Sequence, residues 1–121
     1  MNWKEVGEHA ENIGIGLREL DLIPPVYAEK QDWRFIGIQS KNRKEWNLLH
    51  LANMQQGVTT VAFYDTLGEA AQLFMMNQTE LTTLAITADY VEKIAKMKIK
   101  DAKEGNLMKR VKNLIIFEDE G

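Results

Sequence analysis

The first twenty residues carry apolar side chains at the spacing of a helix. Such residues recur every third or fourth position, which places them along one side of the helix. They are Val6, Ala10, Ile13, Leu17 and Leu20. Asn2 and Glu5 have the spacing of a cap at its start. Pro24 and Pro25 must end the helix, since proline lacks a backbone donor and disfavours helical geometry in the residue before it. We expect a loop through Gln31-Asp32.

After this loop, short apolar runs alternate with helical patterns. The predicted strands are residues 34–40, 59–64, 83–87 and 111–117. Strands that alternate with helices imply right-handed crossovers and a parallel sheet. We therefore predict an α/β fold, with a parallel sheet of about four strands and helices on both faces, and take residues 1–121 as a single α/β subdomain. By analogy with doubly wound sheets, we expect the strand order 2-1-3-4.

Helix ends and buried faces can also be predicted from residue type. Each of three helix starts pairs a capping residue with an acid three positions later, and two glycines stand where helices should end. The pairs are Asn42 with Glu45, Thr66 with Glu69, and Asp89 with Glu92; the glycines are Gly57 and Gly105. The predicted buried faces are Leu67, Ala70, Ala71 and Phe74 on one helix, and Val91, Ile94, Ala95, Ile99 and Ala102 on the next.

Composition narrows the class of protein. The chain has 121 residues and 45% hydrophobic content, enough for one domain with a core. A net charge of −3 with interspersed acids and bases gives no global indication of a nucleic-acid or anionic-membrane partner. The absence of cysteine excludes disulfides, thiol nucleophiles and thiolate metal sites. Because no apolar run is long enough to cross a bilayer, we expect a soluble chain.

Ligands of parallel α/β sheets bind beyond the carboxyl ends of the strands, and few reactive groups are predicted there. Ser40 is the only serine. His9 and His50 lie on predicted helices, without the spacing that would pair either with a nucleophile or a metal ligand, so we expect ordinary helix residues. Asp65 and Asp89 at strand ends suggest a phospho-acceptor receiver, but the acidic pair and the lysine that such a module needs are missing from the expected places.

Two further patterns that resemble functional motifs are better explained by structural roles. Gly14-Ile15-Gly16 resembles the start of a dinucleotide-binding loop, but it lies inside a helix and Glu19 occupies the place of the third glycine, so we predict a packing role. Four lysines fall opposite the apolar stripe of their helix and predict a solvated face rather than a membrane or nucleic-acid surface. They are Lys93, Lys96, Lys100 and Lys103.

Two motifs carry a resemblance to a known family. Asn42-Arg43-Lys44-Glu45-Trp46 and Tyr64-Asp65-Thr66-Leu67-Gly68 stand in a chain that resembles, over nearly its whole length, the amino-terminal part of long-chain fatty-acid CoA ligases. These enzymes belong to the adenylate-forming, AMP-binding superfamily. Lys44 replaces the usual proline of the first motif, a change that should cost little early in a helix.

The resemblance implies a two-step reaction for the complete enzyme. ATP and a long-chain fatty acid, with Mg²⁺, form an acyl-adenylate and pyrophosphate; coenzyme A then takes the acyl group. The phosphate loop, nucleotide contacts, magnesium ligand and catalytic lysine are expected after residue 121. We therefore expect no catalytic, cofactor-binding or metal-binding residue in this chain, no cofactor, and no activity of the fragment alone. The fragment is expected to be soluble on the cytoplasmic side, and the complete enzyme to be associated with the membrane of the endoplasmic reticulum or peroxisome or with the mitochondrial outer membrane.

Alternatives remain open at this stage. Tyr64-Asp65-Thr66-Leu67-Gly68 is interpreted as a structural joint, with a contribution of Tyr64 or Asp65 to a fatty-acid or interdomain surface as the second reading. The chain as a whole could instead be a stand-alone α/β interaction or regulatory module. In either case, an exposed sheet edge predicts self-association.

Overall fold

A computed structural model describes residues 2–64 and 66–117. The helices are α1 (Trp3–Glu19), α2 (Lys44–Gln56), α3 (Glu69–Thr79) and α4 (Val91–Lys103). The strands are β1 (Val26–Ala28), β2 (Gln31–Trp33), β3 (Phe35–Gln39), β4 (Thr59–Ala62), β5 (Thr83–Thr87) and β6 (Asn113–Phe117). A single 3₁₀ turn, Ala88–Tyr90, precedes α4. Within the described ranges, no helix combines the length and the apolar content needed to cross a membrane.

The main sheet is parallel and has the order β4-β3-β5-β6. Ile38 of β3 pairs with Ala62 on one side and with Ala85 on the other. The predicted fold class and the predicted strand order are therefore confirmed. Gly37 permits the close packing at the middle of the sheet, because an added Cβ would lie 2.8 Å from the Phe63 ring.

Helices cover the sheet on both faces and form two hydrophobic clusters. The first cluster joins α3 and α4 to the sheet through residues such as Met76, Leu84 and Met97. The second joins α1 and α2 to the opposite face through residues such as Leu17 and Leu49. This arrangement buries both faces of β3 and β5, as their continuous apolar sequences predict.

A short β-hairpin replaces the loop predicted around Gln31-Asp32. β1 and β2 pair antiparallel, with Val26 opposite Trp33. Glu29 and Lys30 form the turn, and both adopt positive φ angles of 51° and 66°. The Trp33 indole donates to the Ala28 carbonyl at 3.2 Å and closes the hairpin. The sequence lacks the glycine or asparagine that usually indicates such a turn, which is why a loop was expected.

The cap predicted for α1 is right, and the caps predicted for the other three helices are wrong. At α1, the Asn2 side chain accepts from the Glu5 amide at 2.9 Å, and the Glu5 carboxylate accepts from the Asn2 amide at 3.2 Å. The other helices begin after Arg43, Gly68 and Tyr90, and none of these residues caps through its side chain. The caps expected at Asn42, Thr66 and Asp89 are wrong because each helix begins one or two residues later.

Of the two glycines predicted to end helices, one is confirmed and the other is wrong. Gly57 ends α2 in the left-handed conformation, with a φ of 69°. Gly105 does not do so for α4; Asn106 takes the positive φ instead, at 51°. Here the carboxylate of Asp101 accepts from the amides of Leu107 and Met108 at 2.9 and 2.7 Å. A buried side chain therefore organises the turn in place of a glycine.

The predicted buried faces of α3 and α4 are largely wrong. α3 buries Gln72 and Met76 and exposes Phe74. α4 buries Ile94 as expected, but it also buries Met97 and Asp101. The remaining predicted face residues that lie exposed are Ala70, Ala71, Ala95, Ile99 and Ala102. Apolar side chains surround much of α3 and cover a wide arc of α4, of which only one part meets the sheet, so sequence periodicity did not identify the buried side.

Candidate functional site at the carboxyl ends of the strands

The two central strands, β3 and β5, end side by side at the point where the chain changes direction across the sheet. From β3 the chain crosses to β4 on one side, whereas from β5 it crosses to β6 on the other. Such switch points form the ligand crevice of open α/β sheets. A cavity of about 550 Å³ lies here, lined by Lys41, Asn42, Arg43, Glu45, Thr87 and Asp89.

Arg43 and Glu45 form an ion pair in the wall of this cavity. The Arg43 Nε donates to the Glu45 Oε2 at 2.7 Å, and both side chains are partly buried. The guanidinium carbon also lies 5.8 Å from the centre of the Phe117 ring. This hydrogen bond from Arg43 holds the pKa of the Glu45 carboxyl below its usual value. Arg43 is thus oriented by contacts that come from both α2 and β6.

The residues that line the cavity include polar groups that can bind a ligand, but they do not form an arrangement typical of a catalytic site. Lys41 and the Thr87 hydroxyl can bind anionic or hydroxyl groups, whereas Arg43 already binds Glu45. The Ser40 hydroxyl donates to the Lys41 carbonyl at 2.8 Å. In the described part of the chain, no three carboxylate or imidazole groups gather as metal ligands. Thr87 ends the predicted strand 83–87, where a ligand of such a sheet was expected, whereas the place of Arg43 in the cavity wall was not predicted.

The two histidines lie elsewhere in the fold. His9 is exposed on α1. His50 Nδ1 lies 2.9 Å from the Thr60 hydroxyl, which also accepts from the Asn53 amide at 2.8 Å. These contacts join α2 to β4, at the opposite side of the sheet from β6.

The glycine pair in α1 has the packing role predicted for it at one of its two positions. Gly14 is buried, and an added Cβ would lie 2.8 Å from the Gln56 side-chain amide carbon. Gly16 has open space around it. The absent side chain of Gly14 therefore lets α1 approach α2 closely.

The lysines predicted to form a solvated face are exposed. Lys93, Lys96 and Lys100 also border a smaller cavity of about 230 Å³, which they share with Glu69 and Met97. Lys96 pairs with Glu92 at 2.7 Å across one turn of α4, and both side chains are well exposed. An exposed pair of this kind contributes little to stability.

The Tyr64-Asp65-Thr66-Leu67-Gly68 motif lies between β4 and α3. The Leu67 amide donates to the Tyr64 carbonyl at 3.0 Å, which forms a turn. Tyr64 is 68% exposed and Thr66 is exposed as well. Asp65, one of the two suspected surface residues, lies outside the described residues. The described residues of the motif thus form a backbone turn between β4 and α3, without the side-chain cap expected of Thr66.

Comparisons with known proteins add an independent line of evidence. No protein-family model matches the chain. It is 37% identical over 97 residues to fatty acyl-CoA synthetase A of Dictyostelium discoideum, a match that covers 80% of this chain and 13% of that protein. It is 30% identical over 118 residues to long-chain-fatty-acid–CoA ligase 5 of Mus musculus, covering 98% of this chain and 16% of the relative.

A solved structure shows the same fold. The adenylation domain of a carboxylate reductase from Mycobacterium chelonae superposes with a TM-score of 0.77 at 15% identity, covering 99% of this chain and 16% of that one.

The chain spans about one sixth or less of the length of the curated relatives it matches. Within that length, the solved structure shows the same fold, and the chain belongs to the family of long-chain fatty-acid CoA ligases.

Proposed function

We propose that this chain serves as the amino-terminal part of an enzyme that joins a long-chain fatty acid to coenzyme A. The complete enzyme would use ATP and Mg²⁺ to form an acyl-adenylate and pyrophosphate, and coenzyme A would then displace AMP. The observation that carries the proposal is the 30% identity to long-chain-fatty-acid–CoA ligase 5 of Mus musculus over 98% of this chain.

The chain's part in that reaction is structural. Residues 1–121 would form one α/β subdomain of the AMP-binding domain, on which the reacting groups of the rest of the enzyme are held. Adenylyl transfer depends on preorganised cations and donors around the phosphates. The described residues do not fit a magnesium site, because no three metal-ligating side chains gather among them. We expect the chain to perform no catalytic step by itself, because the reacting groups would lie in the rest of the enzyme.

Activity of the complete reading frame is the direct test. The gene product that contains this sequence should convert a long-chain fatty acid, ATP and coenzyme A into acyl-CoA, with one pyrophosphate released per turnover. A matched reaction with acetate should be much slower. Failure to form acyl-CoA from fatty acids of any chain length would contradict the proposal.

Nucleotide binding by the 121-residue chain tests the second half of the proposal. Calorimetric titration with ATP and Mg²⁺, with and without a long-chain fatty acid, should give no saturable heat. A stoichiometric heat would indicate a phosphate site in the cavity next to Lys41 and Arg43. The alternative of a stand-alone binding module would then be favoured over an inactive part of a ligase.

A further inference from the structure

Two glutamine side chains lie inside the fold without a hydrogen-bond partner. Gln39 ends β3 and Gln72 lies one turn into α3, and both are 0% exposed. Neither the amide nitrogen nor the amide oxygen of either side chain bonds to any described residue. Asn53 differs, because its amide nitrogen donates to the Thr60 hydroxyl and only its oxygen is unpartnered. Gln39 and Gln72 are therefore two complete primary amides that are buried without any hydrogen bond.

Gln39 faces the layer formed by α3 and α4. Side chains alternate along a strand, so Gln39 lies on the same face of β3 as Gly37. A Cβ added at Gly37 would meet Phe63, Leu81 and Leu84, which all belong to the cluster that α3 and α4 form with the sheet. The Gln39 side chain therefore points away from α1 and α2 and towards α3 and α4.

The path of the chain places α3 over β3. The chain leaves β4, passes through α3 and returns as β5, and these two strands flank β3 on either side. The helix must therefore cross above β3, running from the carboxyl ends of the strands towards their amino ends. Gln72 lies near the start of α3, on the same side of the helix as the buried Met76. Gln39 and Gln72 thus occupy the same level of the interface between β3 and α3.

The neighbours of Gln39 within the sheet are apolar. Gln39 pairs in register with Ile86 of β5. On the β4 side, the Phe63 amide donates to the Ile38 carbonyl, which places Phe63 beside Gln39. Ile86 and Phe63 both belong to the buried cluster and have no side-chain polar group to offer. Burial of an amide without partners is unfavourable, so the group that satisfies Gln39 must come from the side of α3.

We propose that Gln39 and Gln72 bind an internal water molecule between β3 and α3. The two amides do not bond to each other, and a bridging water would satisfy both. Each amide has two N–H donors and a carbonyl acceptor, which match the lone pairs and the hydrogens of water. An internal water typically makes about three hydrogen bonds, and the nitrogen and oxygen atoms of this pair are enough to provide them.

The surroundings of the two amides exclude other occupants. An ion is disfavoured, because neutral amides among apolar side chains would not compensate for its lost hydration. A chain segment is disfavoured as well. Both amides are already fully buried, so residues outside this chain could not reach them without opening the interface.

The bridging water would also account for the orientation of α3. The helix turns Gln72 towards the sheet and leaves Phe74 63% exposed, although a phenyl ring gains more from burial than an amide. An apolar interface alone does not select this side of the helix. Hydrogen bonds from both amides to one water would favour a single arrangement of α3 on β3.

Crystallography tests the site directly. A crystal structure of the enzyme that contains this chain, at a resolution that shows ordered water, should have a water oxygen within about 3.2 Å of both side-chain amides. An interface without a water between Gln39 and Gln72 would overturn the proposal. A direct hydrogen bond between the two amides would overturn it as well.

A double-mutant cycle tests whether the two amides share one partner. Methionine is unbranched and similar in length to glutamine but has no amide, so Gln39→Met or Gln72→Met removes half of the site and leaves the other amide buried. Each single substitution should lower the urea midpoint of the 121-residue chain, and the double variant should have a higher midpoint than either. Gln78→Met is the matched control, since Gln78 is exposed on the same helix and its replacement should leave the midpoint unchanged. A double variant no more stable than the weaker single variant would contradict a shared site.

Solution NMR gives a readout that a packing role would not produce. In the native chain, the side-chain amide protons of Gln72 should show a dipolar cross-peak to a bound water. Gln39→Met should weaken this cross-peak, because the water would lose the partners that Gln39 supplies. A native chain without the cross-peak, or a cross-peak that Gln39→Met leaves unchanged, would refute the bridging water.

Discussion

The connection between α4 and β6 depends on one buried carboxylate. Asp101 is 4% exposed and accepts two backbone hydrogen bonds, from Leu107 at 2.9 Å and from Met108 at 2.7 Å. Its carbonyl also accepts from Asn106 at 2.6 Å. Lys98 supports the same turn by donating to the carbonyls of Met108 and Val111. Removal of the carboxylate would leave two backbone donors without partners.

The size of the effect can be worked out from these contacts. Hydrogen bonds to a charged group contribute roughly 1.5–3 kcal/mol each. Met108 is almost fully buried, whereas Leu107 is half-buried and its amide can be rehydrated. We therefore expect Asp101→Ala to lower the free energy of unfolding by about 3 kcal/mol. Asp101→Asn, which keeps one acceptor oxygen, should have about half this effect. The total free energy of unfolding of a typical domain is only about 5–15 kcal/mol.

Urea denaturation followed by far-ultraviolet circular dichroism would measure this change. Glu104→Ala is the matched control, since Glu104 is exposed in the same turn and should change the unfolding free energy by less than about 0.5 kcal/mol. The reasoning would be refuted by a loss below about 1 kcal/mol for Asp101→Ala. It would also be refuted if the alanine and asparagine variants were equally stable, because the retained oxygen would then have no role.

Three other substitutions test the helix caps and the charged pair. Asn2→Ala removes the side-chain oxygen that accepts from the Glu5 amide and should lower the free energy of unfolding by about 1 kcal/mol, and the melting temperature by about 4 °C. Thr66→Ala should leave the melting curve unchanged, because the exposed Thr66 side chain makes no capping bond; a shift like that of Asn2→Ala would restore the capping account. Glu45→Gln should flatten the loss of stability in acid. The Arg43 contact lowers the folded-state pKa of Glu45 from 4.5, so its stabilisation is complete above that pH and is lost as the pH falls through the lowered pKa. Parallel pH profiles of the two proteins would contradict this.

Sequence patterns predicted the elements of the sheet better than the surfaces of the helices. β3 and β5 were identifiable because a strand covered on both faces needs a continuous apolar run. The hairpin at Glu29 and Lys30 was missed because two charged residues adopt turn angles that usually indicate glycine or asparagine. The buried faces of α3 and α4 were missed because apolar residues surround much of α3 and cover a wide arc of α4, and only the position of the sheet selects the part that is buried.

The cavity at the carboxyl ends of the strands was likewise predictable only in part. Its location followed from the alternation of strands and helices, since that topology places a crevice between the two central strands. Its wall did not follow, because Arg43 is held by Glu45 and Phe117, and Phe117 stands more than seventy residues away along the chain.

The sequence by itself determined the α/β class, the order of the four parallel strands, the cap of α1 at Asn2 and the family. Each of these depends on local pattern, on the right-handedness of crossovers or on residue identity. Tertiary structure alone decided that Asp101, rather than Gly105, organises the last turn, and that Leu114 and Ile116 remain uncovered beside α4. The physical reason is that burial is a relation between distant segments, which no local pattern contains.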